Sequence, residues 1–204
     1  MIRRLPALAL ALAPALAFAA DRLPTIPPDQ YTPEQRKAAE EFEAARKVKV
    51  FGPFEPLMHS PEVMTLARQM GDYLRYKPKI GTTLSELVIL INARHWSQDY
   101  EWYVHAPIAR KVGIAPEIIE AIRDGRRPEG LSADEAIVYD FTTELQQNKR
   151  VSDATFARAE SRFGKAGVVD LAAISGYYTF LAMELNAARY GLPPDGTPLP
   201  RLPE

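Results

Sequence analysis

The stretch from Glu86 to His105, ELVILINARHWSQDYEWYVH, decides how this chain folds and where its chemistry sits. It reads as two adjoining helices. The first carries Glu86 inside an apolar run made of Leu84, Leu87, Val88, Ile89, Leu90 and Ile91, which marks it for a core. A carboxylate buried there is costly unless it is paired or hydrogen-bonded, so Glu86 asks for a partner. The second helix sets Glu101 and His105 four residues apart, on one face and within reach of each other. Two carboxylates and an imidazole converging in a partly dry pocket are the groups of general acid–base chemistry.

Helical signals continue outward in both directions. Thr32-Pro33-Glu34 starts a charged helix that reaches about Lys47, and Ser60-Pro61-Glu62 starts a second. The apolar face of that second helix is Val63, Leu66, Ala67, Met70 and Leu74. Thr83 or Ser85 caps a third, ending near Trp96. A fourth runs from Tyr100 to Val112, with Pro107 expected to kink it near His105. Pro116 opens a short fifth. Ser132 caps a sixth, with Ile137, Phe141 and Leu145 inward. Ser152 caps a seventh, with Phe156 and Phe163 inward and Gly164 as its stop. A last helix, from about Lys165 to Tyr190, is apolar on nearly all sides and is expected at the centre. No segment shows strand alternation and no repeat is present. The fold class is all-α, one domain of about seven to eight helices.

Residues 1–20 open with Met1-Ile2-Arg3-Arg4, run apolar and alanine-rich, and end in the small-residue motif Ala17-Phe18-Ala19. This is the pattern of a bacterial secretory signal peptide, so a periplasmic or secreted protein is expected, free of the membrane after cleavage. Residues 21–50 are a proline-rich lead-in and the charged helix, 51–191 the helical domain, and 192–204 a proline-rich arm expected to cross a neighbouring subunit. Lys and Arg number 25 against 26 Asp and Glu, with no basic stripe, which argues against nucleic acid as a partner. The chain has no cysteine, which excludes disulfides and any thiol-based activity.

The spacing of the central stretch resembles the carboxymuconolactone decarboxylase family, which includes the AhpD-like alkylhydroperoxidases. In the AhpD branch a glutamate is followed twelve residues later by Cys-x-x-Cys, and a histidine stands four residues after the second cysteine. Glu86 and His105 are in register with that glutamate and histidine, while Gln98 and Glu101 stand at the two thiol positions. The segment Gly52 to Glu62 (GPFEPLMHSPE) resembles the family's lead-in, and Gly176-Tyr177-Tyr178 with Asn186 its last helix. The resemblance implies an AhpD-like helical domain in a homo-oligomer, trimer or hexamer. It also implies a site that takes a small-molecule substrate without metal or cofactor.

Glu86, Glu101 and His105 are the catalytic candidates. Arg94, two turns beyond Glu86, is expected on the same face, holding a substrate carboxylate or pairing with Glu86. Gln98, His59, Tyr177 and Asn186 are the further lining candidates, against the plainer readings of helix cap for His59 and core tyrosine for Tyr177. The Glu86, Glu101 and His105 set also has the chemistry of a divalent-metal site, but no histidine pair or cysteine supports that. Three functions follow. One is a lyase that releases carbon dioxide, with His105 donating the proton. Another is an AhpD-like peroxidase, which the missing thiols disfavour. The third is a non-catalytic, ligand-binding oligomer.

Overall fold

Proline and hydroxyl side chains open most of the helices. The one at Thr82 instead starts after Gly81 without the Thr83 or Ser85 cap expected there, since those hydroxyls donate to the Val112 and Leu74 carbonyls. The computed structural model describes residues 21–202, so the expected signal peptide lies outside the described residues. After a 3-10 turn at Pro28–Gln30 come α1 (Pro33–Arg46), α2 (Phe54–Leu57), α3 (Pro61–Tyr76) and α4 (Thr82–His95). Then follow α5 (Asp99–Lys111), α6 (Pro116–Arg123), α7 (Ala133–Asn148) and α8 (Asp153–Ala188). Proline stands in the first turn of α1, α3 and α6, where its missing N–H costs nothing. Thr32 with Gln35 and Ser132 with Glu135 form reciprocal capping boxes at α1 and α7. Among the described residues no strand occurs, and the expected all-α class holds.

The centre is α4, not α8. Every residue from Ser85 to Arg94 is buried, and α4 packs on α5, α7 and α8. Its buried amide Asn92 is matched within the core. The Asn92 amide donates to the Val88 carbonyl at 2.7 Å, and Gln146 of α7 donates both to Asn92 and, at 2.8 Å, to the Thr179 hydroxyl of α8. α8 has one buried side and one exposed side, with Val169, Phe180 and Met183 at 65%, 37% and 52% exposure. Gly164, at φ 68° and ψ 175°, breaks α8 where the stop was expected, and helix resumes directly after it.

Three apolar faces differ from the sequence reading. α3 turns Met64, Ala67, Gly71 and Leu74 inward, and leaves Val63, Leu66 and Met70 exposed at 39%, 60% and 45%. This helix has apolar residues on two sides, so periodicity alone does not select the inner one. Close approach does, because Gly71 lets α3 sit against the hydroxyl of Tyr177. Phe156 is exposed and Phe163 half-buried, although both were expected inward. On α7 the buried set is Val138, Phe141, Thr142 and Gln146, with Ile137 and Leu145 only half-buried.

The proline-rich arm folds back on its own chain. Leu199 is buried and donates its N–H to Asp99 at 2.9 Å, and Arg201 meets the same carboxylate at 2.7 Å. The arm was expected on a neighbour. Asp99, in the first turn of α5, supplies both of these partners in cis.

Asp170 of α8 is buried and anchors the α3–α4 connection, accepting from Lys79 N at 2.6 Å and from the Tyr73 hydroxyl at 3.2 Å. Replacing it with alanine orphans these donors. Urea denaturation of Asp170→Ala should show a loss of about 1.5–3 kcal/mol, the range for hydrogen bonds to a charged group.

Candidate active site

A tight turn brings the acid–base groups together. Ser97 adopts a left-handed conformation at φ 46°, and the Gln98 side chain caps α5 by accepting from the N–H groups of Tyr100 and Glu101 at 2.7 and 3.1 Å. α5 therefore folds back along α4, and His105 reaches Glu86. His105 Nδ1 lies 2.7 Å from Glu86 Oε2, and both residues are 3% exposed. An ionised carboxylate can only accept, so the proton sits on Nδ1 and Nε2 is left as the basic nitrogen. Nε2 faces Glu101 Oε2 at 3.5 Å, too long for a full hydrogen bond. Pro107 lies inside α5 without a break in the helix, and the Glu101–His105 relation survives.

The walls add cations and phenols. Arg75 Nε of α3 lies 3.8 Å from Glu86 Oε1. The Tyr178 ring meets the His105 ring edge to face at 5.2 Å, and Tyr177 packs on Tyr178 in the same way. Arg46 of α1 stacks over Phe42 and Phe54 and pairs with Asp72 at 2.9 Å. Arg46, Arg75, His105, Tyr177 and Tyr178, with Tyr100, Val104 and Leu181, line a cavity of about 30 Å³, room for about one water molecule.

Electrostatics separates the groups. Burial pushes the Glu101 carboxyl up; His105 and Arg75 pull it down and Glu86 up, with a raised value as the net result. Glu101 is thus shifted toward its protonated form, and its carboxyl faces His105 Nε2. Burial disfavours the charge on Arg75, but Tyr178, Tyr76, Glu86 and Glu101 more than offset this, and its pKa rises. Burial likewise raises the Tyr177 and Tyr178 phenols, and Tyr100 to about 12. Glu184, on α8 one turn past Leu181, has both carboxyl oxygens buried without a partner, and burial with the nearby Glu101 lifts it to about 8.

Of the residues singled out in the sequence, Glu101, His105 and Tyr177 line this cavity, and Glu86 joins them through its hydrogen bond to His105. Arg94 does not. Eight residues of helix carry it about 80° past Glu86, to another side of α4. There it donates to the carbonyls of Arg123 and Pro200 and to the Ser97 hydroxyl. Gln98 is the α5 cap and donates to Asn186 at 3.2 Å, while Asn186 donates to the Trp96 carbonyl, so both fix the turn rather than line the cavity. His59 bonds the Pro24 carbonyl at 3.0 Å, at a distant surface. The sequence reading missed Arg75 and Arg46. Neither has a local spacing to the central motif that would single it out, since α1 and α3 reach it only through tertiary packing.

No protein-family model matches this chain, and no curated protein matches it. Solved structures do. An uncharacterized peroxidase-related protein from Silicibacter sp. TM1040 superposes with a TM-score of 0.65 at 16% identity, over 82% of this chain and 87% of that one. A second uncharacterized peroxidase-related protein, described as an alkylhydroperoxidase AhpD core and from Ralstonia eutropha JMP134, gives 0.69 at 16% identity, over 86% and 93%. At such identity the likeness is one of fold, and the fold is AhpD-like.

Glu184 makes stability depend on pH. The folded chain keeps its proton up to about pH 8, while an unfolded chain releases it near the ordinary value of 4.5. Unfolding therefore releases a proton between those limits, and stability falls as pH rises through them, with Glu101 acting in the same direction. Glu184→Gln should flatten the decline in denaturant midpoint between pH 5 and 8. An unchanged slope would show that Glu184 is not the group responsible.

Proposed function

We propose that this chain is a decarboxylase-like lyase that manages a proton through Glu86, His105 and Glu101 during loss of carbon dioxide from a small carboxylated substrate, without a cofactor. The observation that carries this reading is the buried line of Glu86, His105 and Glu101, with one carboxylate fixing the ring and a raised carboxyl facing its free nitrogen. In such a reaction the carbon–carbon bond to the carboxylate breaks and its electron pair stays on carbon as an enolate-like centre. Glu101 supplies the proton that carbon takes up, and His105, oriented by Glu86, passes a proton back from water. Arg75 takes the place first expected for Arg94, as the guanidinium beside the reacting groups. The present cavity admits only a water-sized molecule, so a substrate enters by moving the long side chains of Arg46 and Arg75.

The two similar structures are described as peroxidase-related, yet a thiol peroxidase needs a thiolate, and Gln98 and Glu101 stand where the resemblance places cysteines. We also propose that the chain works as a homo-oligomer, and that residues 1–20 direct it to the periplasm. Support for self-association comes from α3 and α8. Val63, Leu66, Met70, Tyr73 and Tyr76 on one, with Val169, Phe180 and Met183 on the other, make up most of the exposed large apolar side chains. Light scattering should give a mass above that of the monomer, and Val169→Glu with Phe180→Glu should reduce it.

A panel of small carboxylic acids, followed by carbon dioxide release and mass change, tests the activity. His105→Gln and Glu86→Gln should abolish turnover, and Glu101→Gln should lower it by about 10²–10⁴-fold, the usual contribution of general acid–base catalysis. Arg75→Gln should raise KM. Ligand binding without turnover would favour the non-catalytic reading, and large losses in melting temperature with binding unchanged would make the cluster purely structural.

A further inference from the structure

Arg94 is a buried cation that the Glu86 cavity does not use. It is 5% exposed, and its three bonded N–H donors all meet neutral acceptors: the carbonyls of Arg123 and Pro200 at 3.1 and 2.8 Å and the Ser97 hydroxyl at 2.7 Å. A guanidinium has five donors. Of the remaining two, Nε is buried and has no partner. The other arginines with mostly covered side chains, Arg46, Arg68 and Arg75, each have a carboxylate at 2.9–3.8 Å. Among the described residues Arg94 has none at ion-pair distance, although a buried charge calls for one.

Arg94 lines a cleft of about 230 Å³ bounded by α4, α6, α7 and the C-terminal arm. The volume lies below the roughly 300 Å³ at which ordinary small-molecule pockets begin, so the cleft suits a body of about one ring. Its walls pair apolar surface with hydrogen-bond donors: Ile91, Ile122 and Leu202 on one hand, the Arg126 guanidinium and the His95 ring at the rim on the other. Arg126 carries a solvent-exposed head whose one ion pair among the described residues is with Asp124, at 3.3 Å. Partial burial and the Lys149 ammonium both lower the His95 pKa, and burial and Arg201 lower that of Arg94. The acidic groups nearby are committed, Asp124 to Arg123 and Arg126, and Asp99 to Arg201 and Leu199 N.

We propose that this cleft is a second ligand site, which takes a small organic carboxylate with its anionic head toward Arg94, Arg126 and His95 and its apolar body against Ile91, Ile122 and Leu202. The site is separate from the proton-handling cavity and independent of what happens there. Its arm-side wall is Leu202, and the Pro200 carbonyl already rests on Arg94, so occupancy also holds the arm.

Benzoate, benzamide and inorganic phosphate serve as probes of the full chain, read by thermal shift and calorimetry. Benzoate should raise the melting temperature and bind, while neutral benzamide and phosphate should bind at least tenfold more weakly. Arg94→Lys and Arg126→Glu should each weaken benzoate at least tenfold, and Arg75→Gln, in the other cavity, should leave it unchanged. Arg126 is at the surface, so Arg126→Glu keeps the test valid if Arg94→Lys folds poorly. The proposal is overturned by no benzoate binding up to roughly 10 mM, weaker than the usual millimolar limit of useful affinity. It is also overturned by equal binding of benzamide or phosphate, by binding that survives Arg126→Glu, or by binding lost in Arg75→Gln.

Discussion

The Glu86–His105 hydrogen bond is the constraint around which this molecule is arranged. It joins the most buried helix, α4, to α5 across nineteen positions of sequence, with both partners 3% exposed. A carboxylate placed in that core needs a donor, and α5 can deliver one only if it folds straight back. The turn at Ser97 and the Gln98 cap make that return possible. Gln98 is thus a helix cap, and Glu101, one turn on, supplies the second carboxyl.

Much of the fold was legible because punctuation and period agreed. Pro33, Pro61 and Pro116, the Thr32 and Ser132 capping boxes and the break at Gly164 all lie where the sequence put them. Which face turns inward was less legible. Val63, Leu66 and Met70 form as good a stripe as Met64, Ala67 and Leu74, and only the neighbours of α3 choose between them. The same holds for α8, whose apolar residues surround it although one side is exposed. Apolarity on all sides describes a helix with more than one apolar neighbour. In this chain the outer side of α8 has no such neighbour among the described residues.

The site divides along the same line. Glu86, Glu101 and His105 came from register and from a spacing of four, both local properties of the sequence. Arg75 and Arg46 came from α3 and α1 through packing, which no spacing to the central motif encodes. Arg94 failed for a calculable reason, since eight residues do not complete a whole number of turns and the excess takes it around the helix. Of the two roles expected for Arg94, the pairing with Glu86 does not occur, and its partners are the Arg123 and Pro200 carbonyls and the Ser97 hydroxyl.

Two sides of α4 therefore carry opposite electrostatic problems, solved differently. Toward α5 and α3, the Glu86 carboxylate is hydrogen-bonded to His105 and approached by Arg75, and burial shifts Glu101 toward its protonated form. Toward α6 and α7, Arg94 cannot release its proton at any ordinary pH, so neutralisation of that kind is closed to it. Carbonyls and a hydroxyl partly solvate it, and the C-terminal arm contributes one of them. A buried carboxyl can become neutral; a buried guanidinium can only find an anion. On the two proposals made above, that asymmetry suits the first side of α4 to moving protons and the second to holding a carboxylate.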